Sequence, residues 1–122
     1  MKFTKNHEWI KKEGEYAYIG ITDYAQKQLG DIVYVELAEE DFVLQQGDVL
    51  CAVESVKTAA EVYMPVSGRV VEANHELEDA PEKLNENPYD AFLAKITMDD
   101  ESEYDELMTE EEYNKFLESE EE

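Results

Sequence analysis

A single cysteine, Cys51, stands in the whole chain, so no internal disulfide can form. No CxxC and no Cys/His cluster offers a metal site or a redox pair. Basic residues are scarce: ten Lys and Arg against 32 Asp and Glu leave a net charge of −22. Such a surface repels nucleic acid and anionic membranes, which excludes both as partners. It attracts basic partner surfaces, and it equally serves solubility; composition alone leaves both open. No apolar run approaches the length of a membrane span. There is also no signal-peptide h-region and no Arg/Ser-rich transit segment at the N-terminus, so a cytoplasmic protein is expected.

Catalytic groups are equally few. With two His and one Cys, a nucleophile–base pair is only nominally available. Cys51 alternates with Val49 and Val53, which places it on one strand face as a small core residue. His75 follows a candidate strand and reads as a surface residue. Carboxylates are so abundant that an apparent acid/base pair is expected by chance.

What is present suits one small folded domain spanning residues 1–122. One Trp, eight Tyr and four Phe supply a core and argue against disorder despite the charge. Trp9–Lys12 and Glu15–Ile21 flank Glu13-Gly14 and read as a hairpin. A short helix follows, capped by Thr22 or Asp23, ended by Gly30, with Ala25 and Leu29 on its buried face. Strand signals recur at Ile32–Leu37, Val49–Glu54, Ala59–Met64, Arg69–Ala73 and Phe92–Met98. Asp79-Ala80-Pro81-Glu82 reads as a helix start and Asn87-Pro88 as its end. Short strands at this spacing predict a mainly β sandwich or flattened barrel. A helical segment is expected over 104–119: Thr109 and Glu112 have capping-box spacing, Met108 can staple onto Tyr113, and Tyr113, Phe116 and Leu117 form one apolar stripe. The last residues, Glu120-Glu121-Glu122, are expected to fray.

The stretch that carries chemistry is Val53-Glu54-Ser55-Val56-Lys57-Thr58-Ala59. Two apolar strands lead into and out of a lysine. At a hairpin tip its amine projects into solvent on a flexible four-carbon stem, within reach of a modifying enzyme. Alone, a lysine at a turn is an ordinary solvated lysine. The surroundings add weight: Gly47 lies ten residues before it and Gly68 eleven after, and Met64-Pro65-Val66-Ser67-Gly68 follows. Together these resemble the hammerhead fold of lipoyl and biotinyl domains, with the core at about 16–98.

A narrower resemblance covers most of residues 7 to 98. His7-Glu8-Trp9, Ile19-Gly20-Ile21-Thr22-Asp23-Tyr24-Ala25-Gln26, Leu29 through Leu37, Val53-Glu54-Ser55-Val56-Lys57, Pro65-Val66-Ser67-Gly68, Glu76-Leu77-Glu78-Asp79, Leu84-Asn85 and Asn87-Pro88-Tyr89 are similar, in order, to glycine cleavage H proteins. Biotinyl domains usually set Met on both sides of the lysine, where Val56 and Thr58 stand here. Lipoyl domains of 2-oxoacid dehydrogenases commonly place Asp before it. The chain departs from the family at Ala91-Phe92, where Gly-Trp is common, and at Ala38, where Pro is common.

The resemblance implies a carrier and not an enzyme. (R)-Lipoate would be held in amide linkage on Lys57, with Glu54, Ser55, Val56 and Thr58 as the context read by lipoyl- or octanoyl-transferring enzymes. The P protein, a glycine decarboxylase, would load an aminomethyl group. The T protein would pass it to tetrahydrofolate, and the L protein would reoxidise the dithiol. The family pattern places Glu8 and Glu61 beside a cleft that shelters the loaded arm, with Asn6 and Gln28 as further candidates. A divergent H-like donor of lipoate or octanoate to other proteins is the alternative, since it too needs Lys57.

Overall fold

The computed structural model describes residues 1–121. Strands β1 (Lys2–Phe3), β2 (Glu8–Glu13) and β3 (Tyr16–Ile21) lead into helix α1 (Asp23–Leu29). Then come β4 (Ile32–Glu36), β5 (Val43–Leu44), β6 (Val49–Ser55), β7 (Ala59–Tyr63) and β8 (Gly68–Ala73). Helices α2 (Glu76–Asp79) and α3 (Lys83–Glu86), strand β9 (Ala94–Met98), and helices α4 (Glu101–Asp105) and α5 (Glu110–Glu121) complete the chain. One sheet has the order β1-β2-β3-β9-β8-β5 and the other β4-β6-β7; all pairings are antiparallel. The two sheets do not close into a barrel. The mainly β hammerhead-like architecture with short helices therefore takes the sandwich form.

The core lies between the sheets. Ile10, Ala17, Ile19, Val70 and Ile96 from the larger sheet meet Val35, Val53 and Val62 from the smaller one. At about 25 cal/mol per Å² of apolar area, this burial is the main force holding the layers together. Alternation in β3 turns Ala17, Ile19 and Ile21 inward, as the period of two requires. Gly20 is needed for a different reason. Its strand partner Trp9 lies flat against it, and a Cβ there would come within 2.5 Å of the indole. The indole N–H is donated to the Pro88 carbonyl at 2.9 Å.

Several elements differ from the sequence expectation. Alternation fails at Val49 and Cys51 because the β6–β7 register shifts between them. Val49 consequently faces solvent while Leu50, Cys51 and Val53 are buried. Cys51 is still a core residue, and burial pushes its thiol up to about 12, which keeps it unreactive. The helix expected from Asp79 begins later, at Lys83, because Pro81 has no N–H to continue the preceding turn. Glu76–Asp79, unexpected as a helix, forms its own turn before that break. The last strand starts at Ala94 and not Phe92, whose ring packs edge-on against Tyr18.

The C-terminal segment expected over 104–119 consists of α4, a Met108–Phe3 bridge and α5. Thr109 and Glu112 form the reciprocal capping box, at 2.9 and 3.2 Å. Tyr113 stacks on Phe3 with ring centres 4.7 Å apart, and Met108, Phe116 and Leu117 pack around them. Glu120 and Glu121 stay helical, in contrast to the expected fraying; Glu122 lies outside the described residues. Thr109→Ala removes one half of the box and is expected to cost about 0.5–2 kcal/mol. A denaturant melt that matches the parent would show that α5 is held by packing alone.

Candidate functional site

The tip of the β6–β7 hairpin is built by Ser55. Glu54 pairs with Ala59 in the last register position, and the Ser55 N–H is donated to the Thr58 carbonyl at 2.7 Å. The Ser55 hydroxyl accepts the N–H groups of Lys57 (3.3 Å) and Thr58 (3.1 Å) and donates to the Thr58 carbonyl. Val56 N–H bonds to the Asp31 carbonyl at 3.0 Å, tying the turn to the residue before β4. Ser55 is buried, while Glu54, Val56, Lys57 and Thr58 are exposed. A hydrogen-bonded turn thus presents an exposed lysine. Ser55→Ala strips three of these bonds and is expected to cost about 0.5–1.5 kcal/mol. A melting curve that matches the parent would contradict that role.

The Lys57 side chain lies along the end of α1. Gly30 caps that helix with φ +81°, and a Cβ there would sit 3.5 Å from Lys57 Cε. Asn85 fixes this corner. Its amide donates to the Gly30 carbonyl and the Gln26 side chain, and its oxygen accepts the Ile32 N–H.

A cavity of about 200 Å³ opens between α1, β7 and residues 6–8. Its walls are Ile21, Ala25, Leu29, Val53, Ala60 and Val62; its polar groups are Asn6, His7, Glu8, Gln28 and Glu61. The four residues singled out in the sequence thus line one cavity, yet their environments differ. Asn6, Gln28 and Glu61 are exposed at its rim, whereas Glu8 is only 2% exposed. One Glu8 oxygen accepts the Thr4 hydroxyl at 2.8 Å and the other the Tyr63 N–H at 2.6 Å. Burial outweighs these bonds and pushes its carboxyl up to about 7.

Two contributors escaped the sequence reading. Thr4, four residues before Glu8, also accepts the N–H groups of Asn6 and Glu8. His7 adopts φ +65° and borders the same cavity. The four-residue spacing of Thr4 and Glu8 is a faint signal, and the His7 backbone has none. Elsewhere, His75 is a surface residue between Glu78 and Glu40, whose hydrogen bonds raise its pKa above the ordinary value. No group of three or more potential metal ligands clusters among the described residues. No helix among them is long and apolar enough to cross a membrane.

The family model "Glycine cleavage H-protein" matches residues 1–120. Two curated relatives named glycine cleavage system H protein, from Staphylococcus saprophyticus and Staphylococcus haemolyticus, are each 52% identical over 118 residues. Each match covers 96% of this chain and 94% of the relative. The crystal structure of a glycine cleavage system H protein from Mycobacterium marinum superposes with a TM-score of 0.82 at 32% identity, covering 93% of both chains.

Proposed function

Since the chain belongs to the glycine cleavage H-protein family, we propose that it carries (R)-lipoate as an amide on Lys57 and shuttles the aminomethyl group of glycine. The P protein loads it, the T protein unloads it, and the L protein reoxidises it. The observation that carries this reading is an exposed lysine beside the C-terminal end of α1, together with a cavity lined by the same helix that holds the buried Glu8 carboxyl. The cavity suits such an arm: apolar walls fit a hydrocarbon chain ending in sulfur, and Glu8 fits a cation. When bound, the dithiolane supplies the sulfur that takes up the aminomethyl group while its disulfide is reduced.

The chain's own residues do the rest. Ser55 holds the turn so that the Lys57 amine meets an acyl-transferring enzyme in one geometry. Ile21, Leu29, Val53, Ala60 and Val62 exclude water from the cavity, which slows release of the labile cargo as formaldehyde and ammonia. Glu8, held by Thr4 and Tyr63, accepts the cargo's ammonium as a charge-assisted hydrogen bond. Asn6, Gln28 and Glu61 add polar contacts at the rim. The chain contributes position and shelter, and its partners supply the bond-breaking chemistry.

Reconstitution tests the reading. Lipoylated protein with the P protein and glycine should accept the aminomethyl group and pass it to the T protein. A lipoylated chain that donates its acyl group to other lipoyl proteins but is never loaded from glycine would replace this reading with the donor role. The net charge of −22 adds an expectation about encounter. The Debye length falls from about 10 Å at 0.1 M salt to about 3 Å at 1 M, so association with the P or T protein should slow as salt rises. An association rate independent of salt would assign the charge to solubility.

A further inference from the structure

The buried Glu8 carboxylate follows directly on a residue with an unusual backbone. His7 has φ +65°, a left-handed conformation that costs a non-glycine residue free energy and persists only where the surroundings impose it. Part of them is local, since the His7 N–H is donated to the Thr4 carbonyl at 3.1 Å, and part comes from the far end of the chain. His7 Nδ1 lies 2.9 Å from the Tyr113 hydroxyl, and Nε2 lies 3.0 Å from a Glu120 carboxylate oxygen. The Tyr113 hydroxyl also meets Thr22 Oγ1 at 2.7 Å, and Thr22 caps α1, the helix that forms one wall of the cavity. The His7 ring packs against Tyr24 and Phe116, with centres 4.5 and 5.8 Å away. Its carbonyl accepts the Thr22 N–H at 3.0 Å. Three turns of α5 therefore close on one imidazole, and that imidazole is the neighbour of the group aimed into the cavity.

We infer that α5 is a clamp for the arm cavity: Tyr113 and Glu120 hold His7 in its left-handed conformation, and His7 in turn aims the Glu8 carboxylate at the space beside Tyr63. His7, Tyr113 and Glu120 are positioning residues, since they act through Glu8. The geometry supports a relay. Glu120, His7, Tyr113 and Thr22 are linked in turn at 3.0, 2.9 and 2.7 Å, and the Thr22 hydroxyl accepts the Ala25 N–H. Burial raises Tyr113 to about 12, so its hydroxyl keeps the proton this relay needs. The consequence for the carried cargo rests on the cavity being the shelter of the loaded arm; the consequence for Glu8 itself does not.

Tyr113→Phe removes one oxygen and keeps the ring that stacks on Phe3. The Glu8 contact is read directly by hydrogen exchange of the Tyr63 amide, whose N–H is donated to the Glu8 carboxylate. The Val53 amide, at the centre of the same sheet, reports global stability. In unmodified Tyr113→Phe protein, Tyr63 protection should fall about two- to tenfold relative to Val53, the span of one net hydrogen bond. The loaded arm should lose its aminomethyl group faster by a similar factor. Glu120→Ala, which removes the acceptor facing His7 Nε2, provides the same readings with Tyr113 intact and decides the matter should Tyr113→Phe fold poorly. If Tyr63 and Val53 protection fall together or not at all in these variants, α5 is a stabilising helix without a positioning role and the inference is overturned. If Tyr63 protection falls selectively but Glu8→Gln leaves the cargo's lifetime unchanged, the clamp stands and the reading of the cavity as a shelter fails.

Discussion

Lys57→Arg is expected to fold like the parent and to carry no lipoyl group. The side chain is exposed and rests against the Gly30 corner, so replacing one long cation by another should change stability by no more than about 0.5 kcal/mol. The chemistry changes completely. A guanidinium stays protonated at any physiological pH and cannot become the neutral amine that attacks an activated acyl group. Acylation of the parent removes one positive charge, whereas the variant should keep its mass and its charge. Intact mass spectrometry after growth with lipoate separates the two cases, and a lipoylated Lys57→Arg protein would remove Lys57 from its assigned role.

The second large effect concerns Glu8. Its carboxyl holds a proton up to about pH 7 in the folded chain, against an ordinary value of 4.5. The folded state therefore binds more protons than the unfolded state between those pH values. Glu8 is least costly below pH 4.5, and stability is lost as pH rises through that window to about 7. The shift corresponds to about 3 kcal/mol. Glu8→Gln carries no titrating group, so the difference in unfolding free energy between parent and variant should change by about that amount from pH 4.5 to 7.5, in the variant's favour at the higher pH. A difference that does not vary with pH would show that Glu8 ionises as freely as an exposed carboxylate. The same variant should release the aminomethyl cargo faster, since an amide cannot neutralise an ammonium. A side chain that destabilises the empty protein would thus stabilise the loaded one. Burying a carboxylate without a counter-charge is expensive, and a cationic ligand offsets that cost.

How much of this was legible in the residues follows from the range of the interactions. The capping box at Thr109 and Glu112 and the Thr22 cap are local chemistry, and both are where their spacing places them. The lysine hairpin was legible for the same reason: two apolar strands with a polar tip leave few alternatives. Strand β1 was not, because Lys2 and Phe3 become a strand only by meeting β2 and Met108, more than a hundred residues away. The two-residue β5 likewise depends on β8. The break in alternation before Cys51 arises from pairing with β7, which no single-strand pattern reveals. In the cavity, the glutamates were visible only through the resemblance to a family. That Glu8 is buried while Glu61 lies at the rim is set by tertiary packing, and so is the left-handed backbone of His7.

The central claim is that Lys57 bears a lipoyl arm that takes its cargo from glycine. Intact mass of the natively expressed protein, recorded before and after incubation with the P protein and glycine, addresses both halves at once. One lipoyl group per chain is expected beforehand, located by fragmentation on Lys57, and a glycine-dependent aminomethyl adduct on that arm afterwards. A chain that is unmodified or biotinylated, or one whose lipoyl mass does not change with glycine and an active P protein, would contradict it.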